Sequence, residues 1–253
     1  MFPLHDENPT ELTPYVTIAL IAVNLVVWIY FQGGGFSPEV LYGTICDFGV
    51  IPAELTGRIG EYRGIELMPG ISCTFRKGSW YTLLTSIFLH GGWFHLIGNM
   101  WFLWVFGNNI EDSMGHLRFL AFYLTGGLVG GLVHIYSALD SMVPTVGASG
   151  AVSAVMGGYL ILYPTVRVQT LFWFVFIIRI IAVPAWVVLI QWFILQFLYW
   201  GSGTGGEGGI AVWAHIGGFI AGLILVKPFE DRRLIERRTE EERAGGDGEE
   251  EWW

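Results

Sequence analysis

Charge is scarce in this sequence, and positive charge scarcest. Asp, Glu, Lys and Arg make up 14% of the 253 residues, against about 25% in an average protein. The 13 Lys and Arg are outnumbered by 22 Asp and Glu, and the net charge of −9 excludes a basic nucleic-acid-binding surface. Cysteine is limited to Cys46 and Cys73, and two cysteines without neighbouring ligands do not make a zinc site. No fixed-period repeat is present, which excludes a solenoid. The first apolar run has an acidic flank (Asp6, Glu7, Glu11) and no A-x-A-like site after it, so no cleavable signal peptide is expected. What the chain has in plenty is apolar surface and glycine: 53% hydrophobic residues and 35 glycines, with a mean hydropathy of +0.53. Disorder is thereby excluded, and the low charge and abundant glycine point to closely packed membrane helices.

A hydrocarbon core about 30 Å thick takes about 20 mostly apolar helical residues per crossing. Six candidate spans result: 15–31, one within 87–106, 117–139, 149–163, 184–200 and 210–226. The apolar stretch 168–200 is too long for one crossing and is broken by Pro184; Arg179 in its first half favours an interfacial segment over 171–181, with two short spans as the alternative. The expected fold is an all-α polytopic bundle: a cytoplasmic segment 1–13, a membrane domain 14–227 with a large outer loop at 33–79, and a charged cytoplasmic tail 228–253. Arg232, Arg233, Arg237, Arg238 and Arg243 place that tail inside, and six spans return the N-terminus to the same side. The first loop dissents, carrying Arg58, Arg63, Arg76 and Lys77 outside. If it faces an oxidising compartment, Cys46 and Cys73 can pair or stay as thiols.

Polar groups within spans are costly and informative. Ser149, in Gly147-Ala148-Ser149-Gly150, would stand at a helix N-terminus, whose unpaired N–H groups suit an oxyanion; an N-cap or packing serine is the plainer reading. His215 shares a helix face with Gly218 and Gly222, a smooth stripe that admits another helix. Ser149, Ser153 and Gly157 form a matching stripe on the fourth span, and packing the two would bring His215 to Ser149. His95 and Asn99, at i and i+4, offer two neutral donors on one face; interhelical hydrogen bonding is the plainer reading. His90, about 140° round from His95 on a continuous helix, is assigned to tethering the loop or the start of span two. In the six-span arrangement, spans two, four and six run in one direction and these groups all lie near their beginnings. They therefore share one outer layer. A histidine-lined transporter or haem-binding bundle would explain the histidines but not the Gly-x-Ser-Gly sequence.

At these residues the chain resembles the rhomboid family of intramembrane serine proteases. The matching segments are 83–100, with His90, Gly91, Gly92, Trp93, His95 and Asn99; Gly147 to Gly150; and Ala214 to Gly218, in that order. Glu111, Gly115 and Arg118 resemble the family's turn between spans two and three. The resemblance covers about residues 80–226 and implies a six-helix protease whose nucleophile is Ser149 and whose general base is His215. It also implies an oxyanion held by His95, Asn99 and the Ser149 backbone N–H. Transmembrane proteins in the bilayer are the implied substrates, with no metal or cofactor; a non-catalytic client-helix binder is the alternative within the family. Span five, beside the glycine-rich loop 201–209, is the expected lateral gate. Two positions depart from the pattern. A tyrosine that often supports the catalytic histidine is replaced by Ser153, leaving a Ser153 hydrogen bond as one candidate for orienting His215. Trp80 is followed by Tyr81 instead of arginine, so the first loop should be tethered differently.

Overall fold

A computed structural model describes residues 1–76, 78–174, 176–201, 211–231 and 233–234. Most of the expected tail, with Trp252 and Trp253, and nearly all of the glycine-rich stretch 201–209 lie outside the described residues. In chain order the elements are β1 (Phe2–Asp6), α1 (Tyr15–Val26) prolonged by a π-helical turn (Val27–Phe31), α2 (Pro38–Phe48), α3 (Pro52–Leu55), β2 (Gly64–Met68) and β3 (Ile71–Thr74). There follow α4 (Thr82–Thr85), α5 (Trp93–Met114), α6 (His116–Ser137), α7 (Ser149–Leu162), β4 (Arg167–Phe174), β5 (Ile177–Pro184), α8 (Ala185–Gly201) and α9 (Val212–Phe229). A helix stands at each of the six expected spans. By length and apolarity α6 and α9 suffice to cross a bilayer, while α1, α7 and α8 are apolar but shorter.

The molecule is mostly helical, but the expectation of an all-α fold is corrected by two sheets. Residues 171–181 are not helical; they belong to the β4–β5 hairpin, paired from Arg167↔Pro184 to Phe174↔Ile177. The cause is the density of β-branched residues, Val168, Thr170, Ile177, Ile178, Ile180, Ile181 and Val183, whose stiff side chains favour extended backbone. In the N-terminal segment, β1 adds to β4 to complete a three-stranded sheet. Asp6 at the end of β1 accepts hydrogen bonds from Tyr159 Oη at 2.5 Å and Asn109 Nδ2 at 2.6 Å, fastening the sheet to the ends of α7 and α5.

Helix α1 starts without a capping side chain of its own; a neighbouring helix supplies the cap. The buried Glu111 carboxylate of α5 accepts from the N–H groups of Val16 and Thr17 (2.8 Å each), from Thr17 Oγ1 (2.7 Å) and lies 2.6 Å from His116 Nδ1. Asp112 beside it accepts from the Glu11 and Leu12 N–H groups. The chain then reverses at Gly115, whose φ of 74° suits glycine alone. Arg118, beyond the turn, donates to the Glu230 carbonyl oxygen at 3.0 Å. Since Glu111→Ala orphans several buried donors at once, it is expected to destabilise the protein by about 2–4 kcal/mol, read as a lower unfolding midpoint of the purified protein in mild detergent.

The core of the bundle is the contact between α7 and α9, flanked by α6. An added Cβ at Gly218 would run into the Gly150 carbonyl oxygen, at Gly222 into that of Ala154, and at Gly157 into that of Phe219. The touching stripe on α7 is therefore Gly150, Ala154 and Gly157, which shares Gly157 with the expected line but has Gly150 and Ala154 in place of Ser149 and Ser153. At one end of this pair, the loop between α6 and α7 is held by the Val50↔Thr145 bridge, by Ala53 N–H donating to the Ser141 carbonyl oxygen, and by Thr56 Oγ1 donating to that of Leu139.

The partners in that bracing belong to the first loop, which has a framework of its own. Cys46 of α2 and Cys73 of β3 form a disulfide, answering a pairing that composition left open. Arg76 pairs with Asp47 at 2.6 Å and the Tyr81 hydroxyl donates to the Asp47 carbonyl oxygen at 3.2 Å, so the tether at Trp80-Tyr81 runs through Asp47. The disulfide closes a sequence separation of 27 residues, which in the chain-entropy account is worth about 3.5 kcal/mol. The Cys46→Ser, Cys73→Ser variant, or reduction of the native protein, is expected to accelerate limited proteolysis between residues 49 and 79 without unfolding the helices.

Candidate active site

Ser149 is the first residue of α7. The turn that presents it needs Gly147, whose φ is 139° and where a Cβ would stand 2.7 Å from His95 Nε2. The Gly147 N–H donates to the Ser86 carbonyl oxygen at 2.9 Å, anchoring the turn to the segment before α5. As the opening residue of a helix, Ser149 has a backbone N–H with no intrahelical acceptor. His215 lies in the first turn of α9, and the close approach of Gly218 to Gly150 brings its Nε2 to 2.7 Å from Ser149 Oγ.

Two α8 side chains surround the other side of the imidazole. His215 Nδ1 is 2.7 Å from Gln196 Oε1, and the Trp192 ring lies 5.7 Å away between centroids, tilted by 38°. Ser153 does not orient His215: its hydroxyl donates to the Ser149 carbonyl oxygen, one helical turn back. Sequence reasoning missed Gln196, although a signal was available. Gln191 and Gln196 are the two amide side chains in the apolar run 184–200, and a buried amide in such a run needs a partner.

His95 and Asn99 sit on the first turns of α5, which begins at Trp93 after Gly91-Gly92 rather than inside the 87–90 segment. The Gly91 N–H lies 3.4 Å from His95 Nδ1, so Nδ1 accepts and Nε2 carries the proton. Asn99 Nδ2 is buried and has no acceptor among the described residues. His90 departs from expectation. It precedes the helix, so a helical angle does not apply, and its ring meets that of His95 at 5.1 Å, edge to face. Its backbone is clasped by Gln32, whose Nε2 donates to the His90 carbonyl oxygen at 2.7 Å and whose Oε1 accepts its N–H at 2.9 Å.

His95, Asn99, Ser149, Trp192 and His215 all line one cavity of about 1500 Å³. A serine hydroxyl beside an imidazole, with a free helical N–H and two side-chain donors facing the same space, is equipped for acyl transfer.

Residues 77–229 match the family model of the Rhomboid domain, more than half of the chain. The chain belongs to the rhomboid family. Its rhomboid domain takes in α4 to α9 with His90, His95, Asn99, Ser149, Trp192, Gln196 and His215, while β1 to β3, α1 to α3 and Gln32 precede it. Among its relatives are the rhomboid protein YdcA of Bacillus subtilis (strain 168), 28% identical over 151 residues, covering 59% of this chain and 63% of that protein. The rhomboid protease GluP of the same organism is 40% identical over 84 residues, 33% of this chain and 16% of GluP. Rhomboid-like protease 5 of Toxoplasma gondii is 30% identical over 152 residues, 58% of this chain and 16% of that protein. The rhomboid chain thus spans less than two thirds of each of these relatives.

Proposed function

We propose that this rhomboid is an intramembrane serine endopeptidase. It crosses the bilayer six times through α1, α5, α6, α7, α8 and α9, keeps both termini in the cytoplasm, and cuts transmembrane helices of substrate proteins near the outer face. The observation that carries the reading is the 2.7 Å approach of Ser149 Oγ to His215 Nε2 inside the cavity. His215 Nε2 takes the hydroxyl proton as Ser149 Oγ bonds to the substrate carbonyl carbon. The resulting oxyanion accepts from the Ser149 N–H, His95 Nε2–H and Asn99 Nδ2–H, which are worth far more in a water-poor site than in bulk water. His215 then gives the proton to the leaving amine as the C–N bond breaks. Water, deprotonated in turn by Nε2, hydrolyses the acyl-enzyme and restores both residues. The cavity supplies a route for that water, and a helical substrate must unwind locally before its carbonyl can reach Ser149.

The test is to incubate the full chain, purified in detergent, with a model single-span protein, map the product termini by mass spectrometry, and label the enzyme with a fluorophosphonate. Cleavage in the membrane-spanning region together with an adduct on Ser149 supports the reading. Retention of the client helix with neither cleavage nor adduct favours the client-binding alternative.

A further inference from the structure

We propose that Gln196 of α8 is a positioning residue for the proposed dyad, fixing both the tautomer and the orientation of His215. The inference rests on the Ser149–His215 reading and extends it to a residue on a third helix.

The chain of hydrogen bonds leaves little freedom. Gln196 is buried, 5% exposed, and its Nε2 donates to the Trp192 carbonyl oxygen, one helical turn back, at 3.0 Å. A carbonyl oxygen accepts only, so the amide must present Nε2 to it and Oε1 to the other side. Oε1 lies 2.7 Å from His215 Nδ1; an acceptor there requires the proton of the neutral imidazole to be on Nδ1. Nε2 is then left unprotonated, with its lone pair toward Ser149 Oγ at 2.7 Å. With the tautomers exchanged, the Nδ1 lone pair would face Oε1, and Nε2 could not act as the base. The backbone of α8 thus dictates, through one amide, which nitrogen of a histidine on α9 takes the serine proton. As that proton arrives, the Nδ1–H bond to Oε1 strengthens, since a donor on a charged ring bonds more tightly than on a neutral one. Trp192 and Phe193 stack on Phe219 at 6.1 and 4.7 Å between centroids, seating α8 against α9 beside this bond.

The experiment compares wild type, Gln196→Met, Gln196→Leu, Gln196→Glu and Ser149→Ala as full chains purified in detergent. The readouts are kcat and KM for a single-span substrate, the rate of fluorophosphonate labelling of Ser149, and the thermal midpoint. Gln196→Met keeps the length and loses the oxygen acceptor. It is expected to lower kcat about 10- to 100-fold with KM unchanged and to slow labelling by the same factor. Gln196→Leu should behave alike, and Gln196→Glu, which as a neutral acid in this buried position can donate its O–H to the Trp192 carbonyl oxygen and keep the other oxygen for Nδ1, should restore both rates to within a few-fold. Wild-type kcat and labelling in Gln196→Met and Gln196→Leu overturn the inference while leaving the dyad reading intact. So does a loss confined to KM or the midpoint with labelling unchanged, which is the signature of a packing residue. Undiminished cleavage by Ser149→Ala would instead remove the dyad reading itself.

Discussion

Ser149→Ala is expected to bring cleavage of a transmembrane substrate down at least about 10⁴-fold, to the background of the detergent assay, and His215→Ala is expected to do nearly the same. The two losses should not add. Ser149 Oγ and His215 Nε2 exchange one proton across 2.7 Å, so removing either partner idles the other, and the Ser149→Ala, His215→Ala protein should be no slower than either single variant. Substrate affinity should change little, because neither side chain is needed to hold a helix in the cavity. The measurement is kcat/KM for the three variants beside the thermal midpoint, which should stay near wild type for Ser149→Ala. Additive losses would mean that the two residues act independently, and the base assignment would fail.

The second large effect is expected at Gly218. Its missing side chain is filled by the carbonyl oxygen of Gly150, a backbone atom that cannot rotate aside. Gly218→Val must therefore push α9 off α7, at a cost of about 3 kcal/mol or more for overpacking. The same displacement separates His215 from Ser149, and about 1 Å of misplacement in a reacting pair can cost about 100-fold in rate. Stability and turnover should fall together, as measured by the unfolding midpoint and kcat of the purified protein. Gly43→Ala, at a helical position of α2 with nothing near an added Cβ, is the contrasting substitution, expected to leave both unchanged or raise the midpoint slightly. Equal sensitivity at Gly218 and Gly43 would show that the helix contact, as opposed to glycine content at large, has been misjudged.

Much of this site was legible because its constraints are local in sequence. The spacing of His215, Gly218 and Gly222 predicts a smooth helix face, and the structure uses that face, with Gly150 and Ala154 replacing Ser149 and Ser153 beside Gly157 on the opposing stripe. The i, i+4 relation of His95 and Asn99 survives because both lie inside α5. His90 was misplaced for the complementary reason: Gly91-Gly92 interrupts the helix, so counting turns back from His95 carries no angle. The three-stranded sheet was hidden because an apolar run gives the same composition as buried helix or strand, and the deciding partner, β1, is far away in the chain. Gln196 was passed over because its meaning depends on α8 meeting α9, a long-range fact that no spacing within 184–200 encodes.

The sheet has a mechanical consequence for α8. Where β5 ends, the Ala185 N–H donates to the Val166 carbonyl oxygen at 2.8 Å and the Trp186 N–H to that of Pro164 at 3.0 Å, so the first turn of α8 is pinned to the chain leaving α7. Any tilt of α8 would then be a swing about this pinned turn, with Gln196 at the end of a lever arm. At about 1.5 Å per residue the arm from Ala185 is about 16 Å long, and a tilt of about 10° would carry the amide about 3 Å. That is enough to release Nδ1 of His215 while leaving the pivot, and the sheet beneath it, undisturbed.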